Sequence, residues 1–147
     1  INGGNITAVG DGAPGIGAII SSGNVTGTIS ITGGAADASG TVGIGVATAN
    51  DSYGLTANAD ISITGGTVIS SGTTIGIGCR TGYASGTARI FINGARLVTV
   101  AGGELAIGSY RREPTPKTTP ADTTGWSGTV IENGVETVYP KSDETAP

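Results

Sequence analysis

A four-residue phrase that recurs about every 30 residues constrains this chain more than any other feature. Isoleucine, a polar residue and two glycines stand at residues 1–4, 31–34 and 63–66, and a variant stands at 92–95, so that the isoleucines are 30, 32 and 29 residues apart. A second phrase, Gly-Ile-Gly, follows each copy, with alanine replacing its first glycine in the last one. Two markers that keep phase over four copies indicate a structural repeat.

Each copy contains three short stretches in which apolar residues alternate with other residues, which is the signature of a strand. The first marker ends one such stretch, as in Ile29-Ser-Ile31 and Ile61-Ser-Ile63, and the other two stretches follow the Gly-Gly corner and surround the Gly-Ile-Gly phrase. In the stretch after the Gly-Gly corner, the residues expected to point inward are Ile6, Ala8, Ala36, Ala38, Val68, Ser70, Leu97 and Thr99. In the stretch around the Gly-Ile-Gly phrase, they are Pro14, Ile16, Ala18, Val42, Ile44, Val46, Ile75, Ile77, Cys79, Leu105, Ile107 and Ser109.

Three short strands per 30 residues predict an all-β, right-handed parallel β-helix of about four coils. A single coil cannot bury its own apolar face, whereas coils stacked about 4.8 Å apart pair their backbones and place isoleucine over isoleucine. The right hand follows from the preference of parallel crossovers. A helical bundle is disfavoured by the 28 glycines, and a β-sandwich, the structural alternative, would not hold a 30-residue phase.

The repeat stops near residue 110, and the remainder is expected to form a cap. Residues 111–125 contain three prolines and predict a loop, whereas Asn133-Gly134 within residues 126–140 predicts a hairpin. This hairpin would cover the last coil, with Trp126 filling its end. Residues 141–147 predict a polar linker tail. Because Ile1 begins within a coil, we expect the chain to be a piece of something longer or a processed product.

The phrases at 1–8, 12–18 and 61–68 resemble the glycine-rich repeats of Gram-positive bacterial cell-surface proteins. The resemblance extends over residues 1–108. It implies a right-handed parallel β-helix, related in architecture to pectate-lyase-like domains, in a secreted and wall-attached protein. It further implies adhesion, glycan binding or spacing. It transfers no catalytic residue, because the matched residues are structural glycines and isoleucines.

Composition excludes several classes of function. The net charge is −4 and the seven basic residues are scattered, which argues against nucleic acid as a partner. No apolar run approaches the roughly 20 residues of a membrane span. One cysteine and no histidine argue against a metal site. Gly10–Gly15 matches a nucleotide-binding pattern, but no helix follows it, so no cofactor is expected.

The carboxylates do not predict an enzyme. A glycosidase needs two carboxylates that face one sugar, and no two acidic residues fall in one column of the repeat. Asp60 and Arg89 do share a column and predict an exposed ion pair between coils. A remnant of a polysaccharide-active enzyme stays as an alternative.

Polar and aromatic residues that follow the Gly-Ile-Gly strands form the best candidate binding site. They would line one edge of the solenoid, where tyrosine rings pack against sugars and charged groups bind hydroxyls or carboxylates. These candidate residues are Asp51, Tyr53, Arg80, Tyr83, Tyr110 and Arg111. The alternative interpretation is that they are amphipathic residues that cover the edge of the coils.

Glycines that flank the inward isoleucines should form a strip without side chains along one face. Such a strip favours close approach of another backbone, either the 111–124 loop or a neighbouring subunit. The N-terminal coil has no predicted cap. The expected assembly face therefore comprises Ile1, Gly3, Gly4, Gly15, Gly17, Gly43, Gly45, Gly76, Gly78 and Gly108.

The sequence thus predicts a non-catalytic extracellular or cell-surface module, either a structural stalk or an adhesin that binds a polysaccharide or host glycan. A self-assembling fibre subunit is the first alternative, stacking through the uncapped coil and the glycine strip as a homo-oligomer.

Overall fold

The structure, a computed structural model, describes residues 1–49, 54–84 and 86–140, and these form strands and no helix. In chain order the strands are β1 (Asn5–Val9), β2 (Ile16–Ile20), β3 (Asn24–Ile31), β4 (Ala35–Thr48), β5 (Thr56–Ile63), β6 (Thr67–Thr81), β7 (Ala88–Ile92), β8 (Leu97–Gly102), β9 (Leu105–Arg111), β10 (Lys117–Pro120), β11 (Gly128–Glu132) and β12 (Val135–Tyr139). Among the described residues no helix is long and apolar enough to cross a membrane.

Parallel coils stack as the repeat predicts, and the chain is a β-solenoid of about four turns. One face consists of β3, β5 and β7, and a larger sheet joins the other strands, with β4 and β6 each bending around a corner to serve two faces. Ile16, Ile44, Ile77 and Ile107 lie in one column, and the marker isoleucines lie in another. The prediction that isoleucines one coil apart lie over one another is confirmed.

The buried isoleucine columns form the main core of the solenoid. Ile44, Ile61, Ile63, Ile77 and Ile92 are fully buried, and each coil contributes residues to one continuous cluster. Burying one such side chain stabilises the fold by about 1.5–3 kcal/mol. Stacking is therefore what makes the individual coils stable.

The fourth coil differs from the expected inward set. We expected Leu97 and Thr99 to point inward, but the structure buries Val98 and Val100, and Val98 lies in register with Val68. The corner before β8 is one residue longer than the corner before β6, and a shift of one residue moves every side chain of a strand to the opposite face.

Val42, Ile75 and Leu105 do not join the main core with their neighbours in the expected inward set. With Ala47 and Tyr110 they form a separate apolar cluster, here called the second cluster. The register shifts between Gly40 and Val42, where the strand turns a corner. Simple alternation therefore fails at this point of the coil.

A cap closes all three faces of the last coil. β10 pairs antiparallel with β9, β11 pairs parallel with β8, and the backbone of Ser127 donates to the Ile92 carbonyl at the end of β7. The hairpin β11–β12 turns at Asn133 and Gly134, both with positive φ, as predicted. The expected loop at 111–125 is wrong in one respect, because β10 lies within it. Backbone pairing forms this strand without apolar alternation.

Cys79 lies in the main core, as the alternation predicts, and is fully buried. Removal from water raises the pKa of its thiol to about 12 from an ordinary value of 9.0. The folded chain therefore keeps this thiol neutral at pH values at which the unfolded chain ionises it. The resulting stabilisation is complete below about pH 9 and is lost as the pH rises toward 12.

We expect the melting temperature to fall more steeply with pH in the native chain than in Cys79→Ala. Above about pH 9 the thiol contributes a slope of up to roughly 1.4 kcal/mol per pH unit. Melting curves at several pH values between about 8 and 11 measure this slope, and because the two chains differ only at residue 79, the difference between them isolates the thiol. Parallel curves for the two chains would contradict the assignment.

Candidate functional site

The solenoid edge that follows the Gly-Ile-Gly strands brings several of the predicted binding residues together. Arg80 lies in register with Tyr110, and Thr81 lies in register with Arg111. Beyond β9, the backbone of Arg112 donates to the Thr81 carbonyl at 3.0 Å, so that the two loops run side by side. Tyr83 lies half-buried in the earlier loop. Asp51 and Tyr53 lie outside the described residues.

A cavity of about 120 Å³ lies at this edge, here called the β9–β10 cavity. In the antiparallel pair of β9 and β10, Arg111 lies opposite Lys117 and Ser109 lies opposite Thr119. Directly opposed residues of such a pair share one face of the sheet. Two cations and two hydroxyls therefore converge on this cavity, which is lined by Gly86, Ser109, Tyr110, Arg111, Lys117 and Thr119.

The guanidinium of Arg111 is incompletely satisfied. One of its terminal nitrogens donates to the Thr115 carbonyl at 3.4 Å, while its Nε is buried without a hydrogen-bond partner. Among the described residues, neither Arg111 nor Lys117 forms an ion pair; the pair at 3.1 Å belongs to Asp60 and Arg89. The cavity therefore presents two positive charges that form no ion pair with a carboxylate of the described residues.

Tyr110 reaches the site but does not offer an open ring. It is 9% exposed because it packs in the second cluster with Val42, Ala47, Ile75 and Leu105. The expectation that a sugar stacks on this ring is therefore wrong for Tyr110. Its role is to hold β9 against the second cluster, which fixes Ser109 and Arg111 on either side of it.

Sequence reasoning missed Ser109, Lys117 and Thr119 as residues of this site. It assigned Ser109 to the inward column and residues 117–120 to a loop. The alternation of Lys117 and Thr119 places both side chains on one face of β10, but this pattern is polar and gives no core signal. A strand that forms by backbone pairing alone leaves no other mark in the sequence.

The glycine strip is closed, and residues of the 111–124 loop, one of the two expected partners, cover it at Gly108. Gly43, Gly45, Gly76, Gly78 and Gly108 are all buried. A Cβ on Gly17, Gly45 or Gly78 would overlap the carbonyl oxygen of the corresponding glycine in the next coil, and one on Gly108 would overlap the Thr119 carbonyl. The close approach that glycine predicts comes from the adjacent coil and from β10, so these residues are not an open assembly face.

The other expected assembly residues lie at the N-terminal end of the solenoid. Gly3 and Gly4 are exposed with open space around them, whereas Gly15 lies against the backbone of Ser39. The backbone nitrogen of Ile1 donates to the Ser30 carbonyl at 2.7 Å, which holds this residue beside β3.

The first coil presents the least protected surface of the described chain. Among the described residues, β1, β2 and β3 pair with other strands along one edge only, and none of the three contains a charged residue. Ile6, Val9, Ile19 and Val25 are exposed there. Edge strands are ordinarily protected by charges, prolines or bulges.

The carboxylates are dispersed over the described chain. Asp60 forms the predicted ion pair with Arg89, which is confirmed, although Arg89 is 77% exposed and the pair contributes no more than about 1 kcal/mol. Thr124 donates two hydrogen bonds to the Asp122 carboxylate, one from its hydroxyl and one from its backbone N–H. Both lower the pKa of Asp122, and the hydroxyl has the larger effect. Within residues 1–49, 54–84 and 86–140, no three metal-ligating side chains lie together.

Comparison of the chain with protein-family models, with curated proteins and with solved structures finds no match.

Proposed function

We propose that this chain is a non-catalytic extracellular module that binds a polysaccharide at the solenoid edge around the β9–β10 cavity. The observation that carries the proposal is the convergence of Ser109, Arg111, Lys117 and Thr119 on one cavity. Hydroxyl and guanidinium groups are the hydrogen-bonding partners that sugars use. A rigid stack of coils holds these groups in fixed positions, so little conformational entropy is lost on binding.

The extracellular location rests on the low content of charged residues, 12%, and on the resemblance of residues 1–108 to bacterial surface repeats. A structural stalk is the simpler version of the same proposal. In that version the solenoid only spaces other parts of a surface protein, and the cavity has no ligand.

Binding to a panel of neutral and acidic polysaccharides tests the proposal. We expect at least one polymer to bind, and Arg111→Gln to weaken that binding about tenfold or more, because each well-placed charge-assisted hydrogen bond contributes roughly 1.5–3 kcal/mol. Arg89→Gln is the matched control, since it removes the same charge from a different face of the solenoid. If no polymer binds, the proposed binding site is wrong, and the structural stalk is the version of the proposal that remains.

Self-association through the first coil is a second candidate function, favoured because β1, β2 and β3 contain no charged residue and pair along one edge only among the described residues. The cap covers the other end, so we propose a closed dimer of first coils rather than a fibre. A twofold axis through the middle of β3 would pair β3 with its own copy and β1 with β2 of the partner, all antiparallel. The lengths agree, because β1 and β2 each contain 5 residues.

Sedimentation of the chain at increasing concentration tests this dimer. We expect a monomer–dimer equilibrium that Val25→Lys abolishes, because an inward-pointing charge on β3 prevents edge pairing. Val138→Lys, on the exposed face of β12, should leave the equilibrium unchanged. A native chain that stays monomeric at high concentration rules out the dimer.

A further inference from the structure

We propose that the β9–β10 cavity binds the anionic group of an acidic sugar, with the guanidinium of Arg111 and the amine of Lys117 as its two cationic partners. This inference deepens the proposed function, on which its sugar component rests. It names the class of ligand, a glycan that carries a carboxylate such as a uronic acid.

The first line of support is the unsatisfied Nε of Arg111. This atom is buried, carries part of a delocalised positive charge and has no hydrogen-bond partner among the described residues. Burying such a donor without an acceptor is unfavourable. Because Nε itself has no exposed surface, contact with a ligand falls to the terminal nitrogens of the same guanidinium, which lines the cavity. Two guanidinium nitrogens form a fork that matches the two oxygens of a carboxylate.

The second line of support is the placement of Lys117 directly opposite Arg111. Like charges in this position destabilise an antiparallel pair. An anion between the two cations would reverse that repulsion. The hydroxyls of Ser109 and Thr119, which form the next cross-strand pair on the same face, can then donate to the anion or to an adjacent sugar hydroxyl.

The size of the cavity limits what can enter it. A volume of about 120 Å³ corresponds to roughly four water molecules. This space accommodates a carboxylate with the adjoining atoms of a sugar ring, and not a segment of polymer. The rest of the glycan would therefore lie on the solenoid surface, beside the loop after β6 that carries Tyr83.

Other hollows of the described surface lack these features. A larger hollow at the corner of the first three coils is lined by glycines, serines and threonines, with Asp11 as its charged residue. A third hollow lies over Asp60 and Arg89, which already neutralise one another. Neither combines unneutralised positive charge with a buried donor that has no acceptor.

Titration of the chain with monosaccharides, followed by NMR, tests the inference separately from polymer binding. The probes are glucuronate, glucose and acetate. We expect glucuronate to bind, glucose to bind at least tenfold more weakly, and acetate to bind more weakly than glucuronate because it lacks the sugar hydroxyls. Affinity for glucuronate should fall as salt is added.

Two variants locate the binding. Arg111→Lys keeps the charge but removes the fork, and we expect it to weaken glucuronate binding at least tenfold. Lys117→Gln, at an exposed position where folding is not at risk, should weaken it about threefold or more, and Arg89→Gln should have no effect. Melting curves check that each variant folds.

The outcomes separate this inference from the proposed function. Equal affinity for glucose and glucuronate, or binding unaffected by Arg111→Lys and Lys117→Gln, overturns the anionic subsite even if polysaccharides bind. Acetate that binds as tightly as glucuronate overturns the sugar component. Binding of glucuronate with the expected variant effects, in a chain that binds no polymer, supports the subsite and removes the polysaccharide.

Discussion

Replacing Gly78 with alanine is expected to destabilise this chain severely. Gly78 lies in the column of Gly17, Gly45 and Gly108, where φ is between 144° and 150°. A Cβ at Gly78 would overlap the carbonyl oxygen of Gly108 in the next coil. Because the obstructing atom is backbone within a hydrogen-bonded stack, neither coil can move without breaking the parallel pairing of β6 and β9. We expect a loss of more than about 4 kcal/mol.

Two further glycines separate the causes of that loss. Gly3 has open space around it and no positive φ, so Gly3→Ala should change stability by less than about 0.5 kcal/mol. Gly23 also has open space but a φ of 69°, so Gly23→Ala should cost about 1–2 kcal/mol from backbone strain alone. Urea denaturation measures all three variants. Similar stability of Gly78→Ala and Gly23→Ala would show that the coils do not approach as closely as described.

The same glycine column shows how far sequence reasoning reaches. The phase of the repeat predicts which residues stack, and it correctly places Asp60 beside Arg89 and Cys79 in the core. The sequence also indicates that glycine is needed beside Ile44 and Ile77. It does not indicate the source of the steric constraint, because an adjacent coil and a neighbouring subunit impose the same requirement for glycine.

The sequence-based predictions that were wrong share one physical origin, because in each case the backbone geometry changes without a signal in the side chains. One additional residue before β8 exchanges Leu97 and Thr99 for Val98 and Val100. The shift at Gly40 moves Val42 into the second cluster. β10 forms because the free edge of β9 accepts a partner, whatever its side chains. The β9–β10 cavity depends on the last of these events, so sequence reasoning reached only its β9 half, through Tyr110 and Arg111.

The cap therefore has two effects in this molecule. It pairs the exposed edges of the last coil, and through β10 it supplies Lys117 and Thr119 to the proposed binding site. Chain entropy opposes the ordering of residues 111–127, and the packing of the cap must exceed that cost. The side chain best placed to provide this packing is Trp126.

Trp126→Ala is expected to destabilise the chain by about 3–5 kcal/mol, the usual cost of removing a buried aromatic ring. Trp126 is 3% exposed and contacts the ring of Tyr139 edge to face, with 5.2 Å between centroids. Its indole N–H donates to the Ile90 carbonyl at 2.9 Å, which satisfies an acceptor on the last strand of its face. The substitution therefore opens the end of the core to water and leaves that acceptor unpaired.

Two companions make the Trp126 experiment specific. Trp126→Phe keeps most of the ring but loses the hydrogen bond, so it should cost roughly 1–3 kcal/mol. Val138→Ala removes an apolar side chain that is 59% exposed on β12 and should cost less than about 1 kcal/mol. Denaturation gives the three free energies, and hydrogen exchange shows whether the amides of β11 open before those of β6. An unchanged free energy of unfolding in Trp126→Ala would contradict this expectation. It would mean that the coils are stable with their last edges uncovered, and that the cap serves only to bring β10 to the site.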